Sequence, residues 1–525
     1  MAGMKPWEYS WAQNAPEEIE VWGDDLRGDC LRFNIRWVAP WRLLEERWIC
    51  SGDAAWIFVK VKIGNRWQTA HVSARADDYE VPEDCIAVPV DDGAGIFVHL
   101  GPDFPGFEKD AIEGSILMRL QEAYPADTPC QVFALRMVYI PKIEFWLGSS
   151  LCNGAFYDAR PSAGPRPYRV ASENPIDVTS EYHRRGSGKR LHYASPKKDP
   201  GRYGDQAGPI PAAFPKGYQA FYVMRSHVTQ GQYADFINTL VGDERTLRFP
   251  YAAGAYRYTI RMDRNQFRIA LRPRRACNYL SWADATAYAA WAGLRPMSEL
   301  EFEKACVHKD DPVSQKYAWG TRNIFPAQVI QSRASMTVVV GNCNTGNRHG
   351  EFDGGDGDKG PVRDDEFAIP GTLEEKFHGF GGLLYGESFG ATYLGVLGLS
   401  GNLWDLCVTV GNAEGRAFSG RHGDGSLLQG SAPLRDLGWP ETRGFGFRGG
   451  SWYTGAESCR VADRMHATAL GGNYVYRSHD VGFRAVRTAP SCEQHAITHL
   501  KSSDDFEDSK HRAQKTNTAI TWIGD

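Results

Sequence analysis

Between Phe447 and Arg487 the chain strings together Tyr453, Thr454, Gly455, Ser458, Asp463, His466, Ala467, Thr468, Tyr474, Tyr476, Ser478, His479 and Asp480. They follow neither a helical face nor a strand alternation, so periodic packing does not account for them. Tyr supplies amphipathic contact area at low entropic cost, and Ser, Gly and Asp adapt their hydrogen bonding, the mixture of a binding surface. An idle surface loop has the same composition, and residue types alone leave both readings open. Catalytic chemistry has weaker support. His466 and His479 have no i, i+4 histidine partner and no carboxylate at ligand spacing, and each reads best as a lone imidazole facing solvent. Cys459 reads as a small buried residue before it reads as a nucleophile.

The elements that must position this string are legible on both sides of it. Arg448-Gly449-Gly450-Ser451-Trp452 and Val481-Gly482-Phe483-Arg484-Ala485-Val486-Arg487 carry glycines for tight turns and apolar residues at strand spacing. Upstream, three helix starts carry capping boxes or a close variant: Thr229 with Gln232, Ser281 with Asp284, and Ser298 with Glu301. Nearer the amino terminus, 56–63, 85–90 and 95–100 are short, β-branched and bounded by Gly, Pro and Asp, which predicts strands at sandwich-like spacing. At 525 residues the chain exceeds the size at which one core keeps growing, so two domains are expected. We place a β-rich domain of unassigned role at 1–134, the second domain at 135–487 and a polar extension at 488–525.

A net charge of −5 argues against broad nucleic-acid affinity. The basic clusters at 184–190 and 272–275 read as solvated loop faces. No apolar run suits a secretory leader or a membrane span, and a cytoplasmic protein as synthesised is expected, with a virion-associated role open. Eleven cysteines without CxxC or zinc spacing predict buried free thiols.

Five motifs in order, MVYIPKIEFWLGSS, FYVMRSHVTQGQYADFIN, NYLSWADATAYAAWAGLRPMSELEFEKAC, LGLSGNLWDLC and FRGGSWY…VGFRAVR, resemble the formylglycine-generating-enzyme family from about Met137 to Arg487. That resemblance implies an α+β fold of the C-type lectin-like type, preceded here by the smaller β-rich segment. In that family two cysteines after the Gly-Gly-Ser-aromatic block bind copper as thiolates, which suit Cu(I). Cys459 matches the second position, and Thr454 stands at the first. A hydroxyl does not replace a thiolate there, so the resemblance implies loss of the oxidase chemistry. The family's iron-dependent sulfoxide synthases need a histidine trio, partly from a helical domain that this chain lacks by its sequence.

Within the family, the chain is similar to the variable proteins of diversity-generating retroelements, whose carboxy-terminal segment is rewritten at template adenines. Replacing the adenines of AAY codons gives NNY codons, which encode every residue of the string and exclude Trp, Met, Lys, Gln and Glu. Glu457, Arg460, Arg464 and Met465 then read as fixed positions. The resemblance implies a non-enzymatic, hypervariable surface over 447–487 with variable, chiefly protein, ligands and no required cofactor. Its alternatives are a copper- or iron-dependent oxidase or oxygenase, and a virion component of fixed sequence. It also implies a structural calcium ion held by Asp405 and the carbonyls around Gly401 and Leu403, since hard cations take oxygen donors. Asp353, Asp356 and Asp358 depart from EF-hand spacing and read as a solvated turn.

Overall fold

A computed structural model describes residues 19–43, 51–101, 104, 109–149, 154–158, 166–180, 191–193, 205, 207–252, 255–306, 316–326, 329–333, 336–340, 342–345, 360–362, 367–368, 390–468 and 475–490. Tyr474, Asp353, Asp356, Asp358, the 184–190 cluster and the extension beyond Pro490 lie outside them.

The expected amino-terminal strands occur at Ser51–Ile63, Cys85–Pro89 and Ile96–Leu100. Ser51–Ile63 shows why they form a layer. Its side chains alternate, and both faces are buried. Ala55, Ile57, Val59 and Val61 pack with Leu31, Phe33, Ile35 and Trp37, while Ala54, Trp56 and Phe58 pack with Phe97, Phe133, Tyr222 and Trp291. The first face is covered by Ile19–Val38 paired antiparallel with Ala111–Tyr124. The second is covered by helices.

One antiparallel sheet runs in the order Arg295–Pro296, Ala485–Thr488, Phe221–Met224, Cys130–Ile140, Ser51–Ile63, Ile96–Leu100, Cys85–Pro89. Residue 134, the expected domain boundary, therefore falls inside a strand. Cys130–Ile140 pairs with Ser51–Ile63 through Ala134 opposite Ile57, and with Phe221–Met224 through Ile140 opposite Phe221. The β-rich segment and the segment that follows share backbone hydrogen bonds and one hydrophobic cluster, while a second cluster lies within the β-rich segment alone. Side chains reinforce the join: Trp56 Nε1 donates to Ala292 O at 2.8 Å, and Lys60 Nζ donates to Trp291 O at 2.7 Å and Gly425 O at 3.0 Å.

The three helices start where the capping residues predict, at Gln230–Thr239, Trp282–Trp291 and Glu299–Ala305, each with a reciprocal capping box. A box of this kind contributes about 1 kcal/mol. In Trp282–Trp291 every residue is buried, and its alanines admit close neighbours: a Cβ on Gly423 would stand 2.4 Å from Ala290 Cα.

Candidate functional site

The two blocks flanking the string are tied to both sheets. Phe445–Arg448 pairs antiparallel with Trp404–Val408, which pairs parallel with Val481–Gly482 on its other edge. Ala485–Thr488 then enters the large sheet beside Phe221–Met224. Gly449 and Gly450 take φ of +88° and +74°, and a Cβ on Gly450 would lie 2.6 Å from the Cys459 sulfur. Only glycine meets both conditions.

Buried ion pairs pin the frame further. Arg448 Nη1 donates to Glu299 Oε2 at 3.0 Å and its Nη2 to Glu303 Oε1 at 2.6 Å. Arg464 Nε and Nη2 each donate to Glu299 at 2.9 Å, with the guanidinium 4.3 Å from the Phe156 ring centroid. Burial alone would raise the Glu299 carboxyl, but Arg464 and then Arg448 hold it below the usual range. Glu303 goes the other way, raised by burial that Arg448 does not fully offset. Arg464 and Met465, expected to be fixed positions inside the string, thus have structural work: a Cβ on Gly154 would lie 3.1 Å from the Met465 sulfur.

On this frame the string residues divide. Tyr453 and Tyr476 are each 45% exposed, Val475 is 58% exposed, and Gly455 is exposed. Thr454, Ser458, Asp463, His466, Thr468, Ser478 and His479 are half-buried. Ala467 and Asp480 are buried, at 2% and 8%. These two do not belong on an open surface. Ala467 O lies 2.1 Å from where a Gly446 Cβ would stand, and Asp480 closes the frame by accepting from Ser451 Oγ at 3.0 Å and from Ser478 Oγ at 2.5 Å.

Tyr453, His479 and Thr454 are brought together above buried Trp452. The Tyr453 ring lies 5.0 Å from His479 and 5.5 Å from Trp452, both edge-on. Thr454 Oγ1 donates to Ser451 O at 3.1 Å and receives Ser451 N–H at 2.9 Å. Ser458 lies in the 3₁₀ turn Ala456–Cys459, and Asp463, His466 and Thr468 follow it. His466 lies 5.2 Å from the Trp404 ring, and burial raises the Asp463 carboxyl.

Sequence reasoning missed Tyr256. It stands at φ +50°, its ring is 4.3 Å from His479, and Asn278 Nδ2 donates to the carbonyls of both Tyr256 and His479 at 2.9 Å. A fixed loop about two hundred residues upstream thus contributes an aromatic to the same face. Val475 and Arg477 were missed too. Arg477 Nε donates to Asp284 Oδ2 at 2.7 Å, tying the string to the cap of Trp282–Trp291.

The calcium expectation does not fit this geometry. Asp405 is buried, and Arg484 Nε donates to both its oxygens, at 3.0 and 3.1 Å. His227 Nε2 stands 3.4 Å from the same carboxylate. Gly401 N donates to Gly449 O, and Leu403 is a core side chain. A guanidinium already neutralises the carboxylate that would bind the ion, and a divalent cation beside it would be repelled. The Thr454 hydroxyl is engaged with the Ser451 backbone on both sides. Among the described residues no helix is long and apolar enough to cross a membrane.

Comparison with known proteins adds a family. No curated protein matches the chain. Among solved structures, Treponema denticola variable protein 1 aligns at 12% identity and TM-score 0.30 over 68% of this chain and 96% of its own. The model of the sulfatase-modifying factor enzyme 1-like domain matches residues 202–489, from before the first capped helix to the end of the frame. With the mixed α+β architecture in the C-type lectin-like manner, the chain belongs to the sulfatase-modifying factor enzyme 1-like domain family.

Proposed function

We propose that the protein is a non-enzymatic ligand-binding protein whose face over 447–487 is diversified by a retroelement acting on template adenines. The observation that carries this is the division of one short segment. Arg448, Arg464 and Arg484 are buried and ion-paired, while Tyr453, Gly455 and Tyr476 between them stand exposed. A rigid base lowers the ordering cost of binding, and side chains that reach out from it change without opening the core. The ligands are variable, chiefly proteins, met by Tyr453, Tyr474, Tyr476 and His479 together with fixed Tyr256. Ala467 and Asp480 are withdrawn from the contact set and assigned to the frame, because both are packed.

The non-enzymatic reading is supported by Thr454, whose hydroxyl is spent on Ser451 where the family's oxidases place a thiolate. The test is deep sequencing of the 3′ end of the gene in a population of source cells, with its flanking DNA. Variation confined to string codons from Tyr453 to His479, constant codons for Arg448, Arg464 and Arg484, and an adenine-rich near-repeat nearby are expected. An invariant segment without such a repeat refutes the proposal and leaves a fixed binder or virion component.

A further inference from the structure

Cys343 and Cys459 are far apart in sequence and meet in the fold. Both are fully buried and pack with Tyr317 and Trp319. Ser400 holds both sides: its carbonyl lies 3.1 Å from the Cys343 sulfur, and its hydroxyl donates to Cys459 O at 2.7 Å. The Thr345 hydroxyl, two residues from Cys343, lies 3.4 Å from the Cys459 sulfur and donates to Thr454 O at 2.6 Å. The Cys343 S–H donates to the Ser400 carbonyl, and the two sulfurs are within hydrogen-bonding reach of each other.

We propose that Cys343 and Cys459 form a hydroperoxide-responsive dithiol whose disulfide cross-links the 3₁₀ turn Ala456–Cys459 to the loop Asn342–Thr345. The proposal stands whether or not the neighbouring segment binds a ligand. In the first step the Cys459 thiolate attacks one oxygen of the hydroperoxide and the O–O bond breaks. Cys459 becomes a sulfenic acid, and the other oxygen leaves as water or an alcohol after protonation. In the second step the Cys343 sulfur attacks the Cys459 sulfur, the S–O bond breaks, and water leaves with the Cys343 proton. The net change is two thiols and one hydroperoxide to one disulfide, one water and one water or alcohol.

The geometry divides these roles. Cys459 ends the 3₁₀ turn that carries the exposed Gly455 and Glu457 edge, and its sulfur, held below the ordinary thiol range beside Cys343, is the one that an oxidant entering there meets. Cys343 is held high by burial and suits the resolving position, where proximity to Cys459 replaces a bimolecular encounter. Cys277, Cys306 and Cys407 are each pushed up by burial. Full burial favours a small oxidant, admitted by local opening at the exposed Gly455 and Glu457 edge.

The experiment uses the full chain, reduced, freed of reductant without air, and titrated with hydrogen peroxide. Free thiols are then blocked, and peptides are mapped without reduction. A cross-linked pair of peptides carrying Cys343 and Cys459 is expected at low peroxide equivalents, with the thermal midpoint rising by roughly 5 °C or more because a long loop is closed. In Cys343→Ser, Cys459 should instead give a stable dimedone adduct. In Cys407→Ala the cross-link should persist. Both cysteines remaining free while other thiols oxidise, or copper co-purifying with the pair in thiol form, overturns the proposal. The wild-type peptide map decides the matter even if the serine variant does not fold.

Discussion

Arg464 and Tyr476 lie twelve residues apart in the same segment and should differ sharply in what they contribute to stability. Arg464→Ala removes two donors from Glu299, at 2.9 Å each, and a guanidinium 4.3 Å from the Phe156 ring. Breaking a buried pair by deleting one partner costs about 3–5 kcal/mol. Glu299 keeps Arg448 at 3.0 Å, Thr409 Oγ1 at 2.7 Å and Val410 N at 2.8 Å, which favours the lower end. The lost ring contact adds about 1 kcal/mol. The expected cost is therefore roughly 3–4 kcal/mol, a fall of about 6–8 °C in thermal midpoint at about 2 °C per kcal/mol for a large chain. Tyr476→Ser removes a ring already 45% exposed and should cost about 0.5 kcal/mol or less. Urea unfolding followed by tryptophan fluorescence, with thermal melts alongside, measures both. If Arg464→Ala is neutral, or if Tyr476→Ser costs as much, the division into buried frame and changeable surface is wrong.

Other consequences can be checked on the same material. Gly450→Ala combines φ +74° with a Cβ 2.6 Å from the Cys459 sulfur; it should cost more than about 2 kcal/mol, and a neutral melt would show that the turn relaxes. Exhaustive chelation should leave the melting midpoint unchanged, because Arg484 and not a cation neutralises Asp405, whereas a fall restored by added calcium would restore the ion to that site. Lys60 and Lys304 are both lowered by burial to about 7, against an unfolded value near 10.4. From pH 7 to 8 the unfolded chain therefore binds more protons, and stability should rise with pH, by roughly 1 kcal/mol per lysine across that unit. A flat or falling midpoint over this window would count against the two ammonium groups being lowered.

Much of the architecture is local and therefore readable. Alternation in 56–63 specifies a strand because successive side chains face opposite ways, and the structure extends it to Ser51–Ile63. Ser281 with Asp284 specifies a helix start because a hydroxyl and a carboxylate three residues apart close on each other. Consecutive glycines before Ser451 announce a backbone that side chains would obstruct. Tyr453 and Tyr476 stand exposed as their place in a periodless string implies.

What the sequence could not carry depends on partners distant along the chain. Nothing in the types of Ala467 and Asp480 distinguishes them from their exposed neighbours; burial under Gly446 and hydrogen bonds from Ser451 do. Asp405 has the donor atoms of a calcium ligand, and only the arrival of Arg484, 79 residues later, makes it an ion-pair partner. Tyr256 joins the face because Asn278 binds its carbonyl and that of His479 together. Residue 134 marks a change of composition, yet Cys130–Ile140 runs through it with paired strands on both edges. Residue type and spacing determined which segments would be rigid and which chemically varied. Tertiary contacts decided which side chains are exposed, which charges are paired, and that Cys343 meets Cys459, because burial and partnership depend on what the fold brings near.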